Sequence, residues 1–527
     1  MTKFLSFRLG AHLSLRENGR GWFCLLAIWS VYPLWHGYML SPDLNDDAFI
    51  TLAYAKNLIA GNGFVYNHGP ETLGTTSPLQ TLLAAGLGLL LPQVSLISIA
   101  KAMGSISWVS CGWLVFAFRE RLGLSRRDAS LIGIAIFALG SPYFLGMETW
   151  MYLAILVLAC GLAAGGNYLL AGISTGLLFL CRGDGGIIGA ILGAQVLLRG
   201  WQARRLPWRE VLALSAGFLI VVLPWVAYCL EHFGSVIPNT LGTKLVQGEY
   251  ARRFLPGLLQ RAVEWGSFTP GVAWLGIVYH ALAVVGAVWL WRGRSLLGLL
   301  AAGVLAHTAL FTLLGVAYYP WYILPEYFLW QVLIGAGIAA IARRALKRED
   351  TEWHGLQAVA LAIVIPAVMA SGWAVWGIDR RGDYRGEAYR EVCDWLNEHA
   401  PKEAIVGASD IGYLGYFTGF EILDFNGIVT PRMIEYMKVR GGIDRLPEDL
   451  PGFIMVVCEL DGRHYFSGDS RFRARYSRAL VTGSLVQGRK CKLYALKADA
   501  ADHAPTPIKR FSPGMFLPDT STLSEAP

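Results

Sequence analysis

Apolar stretches separated by short polar or basic turns recur along most of the chain. They fall at about 22–40, 78–92, 97–118, 129–146, 149–165, 168–182, 184–199, 211–230, 272–291, 296–315, 322–342 and 356–377, close to the roughly 20 residues that cross a bilayer as a helix. From about residue 378 the pattern changes, with charged residues frequent and apolar runs short. There EAYREVCDWLNEHAP (387–401) predicts an amphipathic helix, and 404–429 predicts a strand, a glycine turn, a short helix and a second strand. FIMVVCEL (453–460) and RKCKLYAL (489–496) predict further strands, and Pro505, Pro507, Pro513 and Pro518 mark a disordered tail. The chain thus divides into a transmembrane module at 1–377, an α/β domain at 378–497 and a tail at 498–527.

Charge sets the direction of threading. Basic clusters precede residue 22, occupy 119–127, 199–209 and 343–348, and include Arg292 with Arg294. The positive-inside rule places all of them in the cytoplasm. That holds if 78–92, about 22 Å long as a helix against a roughly 30 Å core, dips in or lies on the surface. If it crosses, two of the clusters are thrown outside. The expected fold is an α-helical polytopic membrane protein with about eleven transmembrane helices, one re-entrant or surface helix, and a C-terminal periplasmic α/β domain. The stretch 41–77, the turns GMETW (146–150) and CRGDGG (181–186), the loop 231–271, the aromatic turn YYPWYILPEY (318–327) and everything after 378 then share the outer face.

Composition agrees: 54% of residues are hydrophobic and 16% charged, far below the roughly 25% charged of soluble domains. The net charge of +7 is topological, with no basic stripe or motif for nucleic acid. The segment 22–40 follows Lys3, Arg8, Arg16 and Arg20 without a small-residue cleavage site, and reads as a retained anchor. Of the eight cysteines, Cys393, Cys458 and Cys491 lie in the C-terminal domain, which permits at most one disulfide there, Cys458 with Cys491.

Several polar groups are candidates for chemistry. Asp46 and Asp47 open an apolar helical run at the outer end of the first span. Each reads either as a helix cap or as a general base for an acceptor hydroxyl, with Asp46 the first choice and Asp47 turned about 100° away around the helix. Arg182 and Asp184 form either a salt bridge closing a hairpin or a phosphate site. Glu148 is either a cap or a ligand for sugar hydroxyls. Asn239, Thr240 and Lys244 follow Pro238 at the start of a surface helix that suits a phosphate. Tyr318, Tyr319, Trp321 and Tyr322 read as an interfacial belt or as a surface for a sugar or prenyl chain. The histidines, including His307, are scattered and argue for no metal site. There is no GxSxG, P-loop or dinucleotide fingerprint.

The run NDDAFITLAYAKNLIAGNGFVYNHG followed by TSPLQTLL, with GMETWMY, PNTLGTK and SDIGYLGYFTGFEILDFNGIV in order behind it, resembles the AftB-like membrane arabinofuranosyltransferases of mycobacteria and the related pilin-modifying enzymes. These belong to the GT-C class, which uses polyprenyl-phosphate sugars. CRGDG departs from the family's RPDG at Gly183, and PNTLGTK carries Leu241 and Gly242 where an aromatic pair is usual. The resemblance implies Asp46 as catalytic base with Asp47 assisting. It also implies a donor cavity lined by Glu148, Arg182, Asp184, Asn239 and Lys244, to which the aromatic turn adds Tyr319 and Tyr322 as candidate donor contacts. The implied reaction is inverting transfer of arabinofuranose from polyprenyl-phosphate arabinose, a substrate rather than a cofactor, to a periplasmic glycan or glycoprotein such as a pilin. It places the enzyme in the bacterial inner membrane among lipids, with no metal required. Transfer of a hexose such as mannose is the nearest alternative, and a lipid-linked glycan flippase the alternative of another class. Matched halves with broken helices, the usual transporter pattern, are not visible in the sequence.

Overall fold

The computed structural model describes residues 20–39, 44–68, 71–264, 274–292, 297–345, 385–440, 446–448, 450–457, 464–482 and 490–497. The expected last apolar segment, 356–377, the tail and Cys458 lie outside these residues. The bundle comprises α1 (Arg20–Trp29), α2 (Val31–Met39), α3 (Asp46–Ile59), α4 (Pro78–Leu90), α5 (Leu96–Ala117), α6 (Arg126–Leu139), α7 (Thr149–Ala164) and α8 (Tyr168–Cys181). It continues through α9 (Gly186–Gln202), α10 (Trp208–His232), α11 (Asn239–Tyr250), α12 (Phe254–Glu264), α13 (Trp274–Arg292), α14 (Leu297–Leu314) and α15 (Leu324–Ala345). Among the described residues three helices, Leu96–Ala117, Trp208–His232 and Leu324–Arg344, are long and apolar enough to cross a membrane unaided, and six shorter apolar helices accompany them.

Local chemistry explains the boundaries. The segment expected as one anchor is broken at Ser30 into α1 and α2, because Pro33 offers no N–H to the carbonyl four residues back and its ring crowds it. Gly61 and Gly63, at φ of 79° and 88°, end α3 in a backbone region that glycine enters at little cost. Ser125 and Asp128 form a reciprocal capping box at the start of α6.

The ends of the bundle differ. At one end Ser130 donates to the Trp22 carbonyl, Arg121 to the Gly161 carbonyl and Arg343 to the buried Asp128 carboxylate, so several basic clusters gather there. At the other end lies α3, and α4 lies against it. Gln80 near the start of α4 donates to the Gly146 carbonyl at 2.6 Å, while Gly88 near its end packs on Ile59 and Leu96.

The C-terminal domain is a five-stranded sheet of order β2-β1-β3-β5-β4, formed by β1 (Ile405–Ala408), β2 (Glu421–Asp424), β3 (Phe453–Val457), β4 (Tyr476–Val481) and β5 (Cys491–Leu496). β1 pairs in parallel with β2 and β3, and β5 is antiparallel to both β3 and β4. The amphipathic helix forms at Gly386–His399, and a short helix, Gly412–Phe417, crosses from β1 to β2. The strand β4 and the helix Arg432–Arg440 were not expected from the sequence.

Candidate active site

The domain and the bundle meet over α3. Asn45 caps this helix by accepting from the Asp47 amide at 3.0 Å. Asp46 caps a different one: its carboxylate accepts from the backbone amides of Gly412 at 3.1 Å and Tyr413 at 3.0 Å, which open the helix Gly412–Phe417. Phe49 lies among the rings of Tyr413, Tyr416 and Phe417, Lys56 donates to the Tyr416 carbonyl, and Tyr66 to that of Ile411. Asn67 exchanges two hydrogen bonds with Ile422 of β2, at 2.9 and 3.0 Å, as a neighbouring strand would at this sheet edge.

Asp46 is 2% exposed. Burial first, then the nearby Asp410 carboxylate, push its pKa well above the ordinary carboxylate value; Arg385 and the Tyr413 amide oppose this. Asp410 is itself bound by Arg385 at 2.8 Å and by the Tyr389 hydroxyl. Both Asp46 oxygens are engaged by the C-terminal domain, so this carboxylate clasps the domain to α3.

Asp47 turns the other way, as helical geometry requires of the next residue. It is only half-buried and lies within electrostatic range of Glu148 and Tyr322. Glu148 precedes α7, is buried, and interacts with Arg182 and the Ser77 hydroxyl. Arg182 follows α8 and is 4% exposed. It donates to the Trp321 carbonyl at 3.0 Å and to Asp184 at 2.9 Å, with its guanidinium over the rings of Tyr152 at 5.1 Å and Tyr322 at 5.5 Å.

A second cation stands beyond the tyrosines. Lys244, on α11 and buried, places its ammonium 3.6 Å from the centre of the Tyr319 ring, and Tyr319 lies 6.0 Å from Tyr322. The Tyr319 hydroxyl donates to Gln247 at 2.9 Å, and Gln247 donates to Asn426 of the C-terminal domain at 3.0 Å. Lys244 and Arg182 thus flank a pair of tyrosines, with two carboxylates, Glu148 and Asp47, near the Arg182 side. Cations separated by aromatic rings suit a phosphate that carries an apolar tail.

Asn239 does not join this cluster; its amide reaches the Ile428 carbonyl at 3.5 Å and its backbone N–H the Leu73 carbonyl, tying α11 to the domain and to the opening stretch. Two residues that the sequence reading passed over adjoin the cluster. His307 Nε2 lies 3.0 Å from Asp184 and its Nδ1 2.8 Å from Glu326. Ionisable residues inside apolar helices were the available signal. Among the described residues no cluster of three or more His, Cys, Asp or Glu is arranged to hold a metal ion.

A family profile described as a domain of unknown function, DUF8728, matches residues 378–495. No curated protein matches the sequence. Among solved structures, ArnT from Cupriavidus metallidurans in the apo state is similar at 13% identity and a TM-score of 0.57, over 92% of this chain and 99% of that one. The same protein bound to undecaprenyl phosphate is similar at 14% identity and a TM-score of 0.55, over the same 92% and 99%. The chain shares the fold of ArnT from the bundle through the C-terminal domain.

Proposed function

We propose that this protein is an inverting membrane glycosyltransferase that uses a polyprenyl-phosphate sugar. The observation that carries the reading is the pair of buried cations, Lys244 and Arg182, on either side of Tyr319 and Tyr322, with Asp47 close to the Arg182 side. The fold shared with ArnT, a protein that binds undecaprenyl phosphate, supports a donor of that class.

In this reading Asp47, not Asp46, removes the proton from the acceptor hydroxyl. The hydroxyl oxygen attacks the anomeric carbon, the bond from that carbon to the phosphate oxygen breaks, and polyprenyl phosphate departs with the electron pair. Lys244 and Arg182 stabilise the negative charge that grows on the leaving oxygen, an effect largest in the transition state. Glu148 binds sugar hydroxyls. Asp46 keeps the C-terminal domain seated over the site, which faces the periplasm, and about eleven spans carry it in the inner membrane.

The resemblance of the opening run to arabinofuranosyltransferases supports a pentose, and the acceptor is a hydroxyl of a periplasmic glycan or glycoprotein. The test is transfer by the purified chain in nanodiscs from synthetic polyprenyl-phosphate arabinofuranose and, separately, polyprenyl-phosphate mannose. Turnover of the arabinose donor alone supports the pentose reading. Turnover of mannose alone replaces it with the hexose reading, and turnover of neither removes the glycosyltransferase assignment.

A further inference from the structure

Arg182 stands at the head of a line of charges that runs from the site into the helix bundle. Asp184, in the turn after α8, lies 2.9 Å from Arg182 Nη2 and 3.0 Å from His307 Nε2. His307, on α14, lies through Nδ1 2.8 Å from Glu326 Oε1, on the first turn of α15. That oxygen also accepts from Thr308 at 2.7 Å. All four charged side chains are 8% exposed or less.

His307 Nδ1 hydrogen-bonds Glu326, while Nε2 faces Asp184 at 3.0 Å as an ion-pair contact. A ring set between two carboxylates is favoured as the cation, so the signs along the line alternate: Arg182 positive, Asp184 negative, His307 positive, Glu326 negative. The alternation matters at its head. A lone Asp184 would neutralise Arg182; shared with His307, it leaves more of the guanidinium field directed at the site. Two of the five N–H donors of the guanidinium are engaged by Asp184 and the Trp321 carbonyl, and the rings of Tyr152 and Tyr322 fix its plane.

Stability alone does not account for such a line. Buried ion networks replaced by apolar side chains commonly leave a protein as stable or more so. Here Asp184 and His307 border a small cavity whose other walls include Leu156, Ile188 and Val304, where apolar packing would fit. One oxygen each of Asp184 and Glu326, and Nε2 of His307, have no hydrogen-bond partner among the described residues, an incomplete arrangement for a purely structural network.

We propose that His307 and Glu326 are positioning residues, which through Asp184 hold Arg182 aimed at the phosphate of the lipid donor. The inference rests on the polyprenyl-phosphate reading above for the identity of that ligand.

The test measures binding of undecaprenyl phosphate, and of undecaprenol as the same lipid without the phosphate, to the full chain in nanodiscs. It compares the wild type with His307→Gln, Glu326→Gln and the double variant, with a thermal melt of each. The expected result is that each single variant binds undecaprenyl phosphate about 2- to 30-fold more weakly, Glu326→Gln because His307 without its second carboxylate gives up a proton and leaves Asp184 to Arg182, while undecaprenol binding is unchanged. The double variant, which restores the overall charge balance, binds better than His307→Gln alone. The inference is overturned if the single variants bind undecaprenyl phosphate as the wild type does. It is equally overturned if they lose both lipids in parallel with their melting temperature, the mark of a merely structural role. A wild type that does not prefer the phosphorylated lipid removes the donor reading itself, and the inference with it.

Discussion

The carboxylate of Asp46 and the backbone amide of Gly412 meet at 3.1 Å across 366 positions of sequence. A Cβ at 412 would stand 1.8 Å from the Asp46 carbonyl oxygen, so glycine is required here by closeness rather than by backbone angle. Gly412→Ala must push two backbones apart. We expect it to speed hydrogen exchange in both 46–59 and 411–417 and to abolish transfer, while α5 and α7 exchange as in the wild type. Unchanged protection at 411–417 would remove the clasp.

Asp46→Asn tests the same contact chemically. One carboxylate oxygen becomes an NH2 group facing an N–H donor, and a buried donor left without its acceptor costs about 1–3 kcal/mol. The expected outcome is a lower melting temperature and reduced, not abolished, transfer.

Two groups of the C-terminal domain, Asp424 and His464, are shifted in opposite directions. Asp424 is buried, and burial pushes its pKa from 3.8 up to about 6, with the amides of Val429 and Asn426 opposing. It binds more protons folded than unfolded, so its contribution to stability falls as pH rises across that window. His464 is shifted from 6.5 down to about 4, by burial and then by Lys492. It binds fewer protons folded, so its contribution rises with pH from about 4 to 6.5. The two slopes oppose between pH 4 and 6. Hydrogen exchange of β3 and β5, corrected for its intrinsic pH dependence, is expected to report stability that falls with pH more steeply in His464→Gln than in the wild type. A variant profile with the wild-type slope contradicts this.

Lys244 supplies charge where Tyr319 supplies a face. A charge-assisted hydrogen bond contributes about 1.5–3 kcal/mol, so Lys244→Ala is expected to weaken binding of undecaprenyl phosphate by about 10- to 100-fold, with Lys244→Arg retaining most of it. Binding of undecaprenol serves as the control and should not change.

Much of the fold is legible in the chain. Pro78 announced the start of α4, and Ser125 with Asp128 that of α6. The helix Gly386–His399 and strands β1, β2, β3 and β5 follow from periodicity. β4 escaped because an edge strand carrying Ser477 and Arg478 has no apolar alternation to reveal it. The candidate site was legible as residue types, but not the contacts between them. Spacing places Asp46 and Asp47 on different sides of α3, yet which side meets the C-terminal domain depends on Gly412, far along the chain. His307 and Glu326 are joined only when α14 and α15 pack beside the turn after α8, and no local pattern connects them.

The most direct measurement is the rate of sugar transfer from the polyprenyl-phosphate donor by Asp47→Asn beside Asp46→Asn, each in nanodiscs and each checked by its melt. Asp47 as base predicts a well-folded Asp47→Asn that binds undecaprenyl phosphate as the wild type does but transfers at least about 100-fold more slowly, while Asp46→Asn melts earlier and keeps measurable turnover. A fully active Asp47→Asn, or a stable Asp46→Asn without turnover, would return the base to Asp46 and contradict the site as built here.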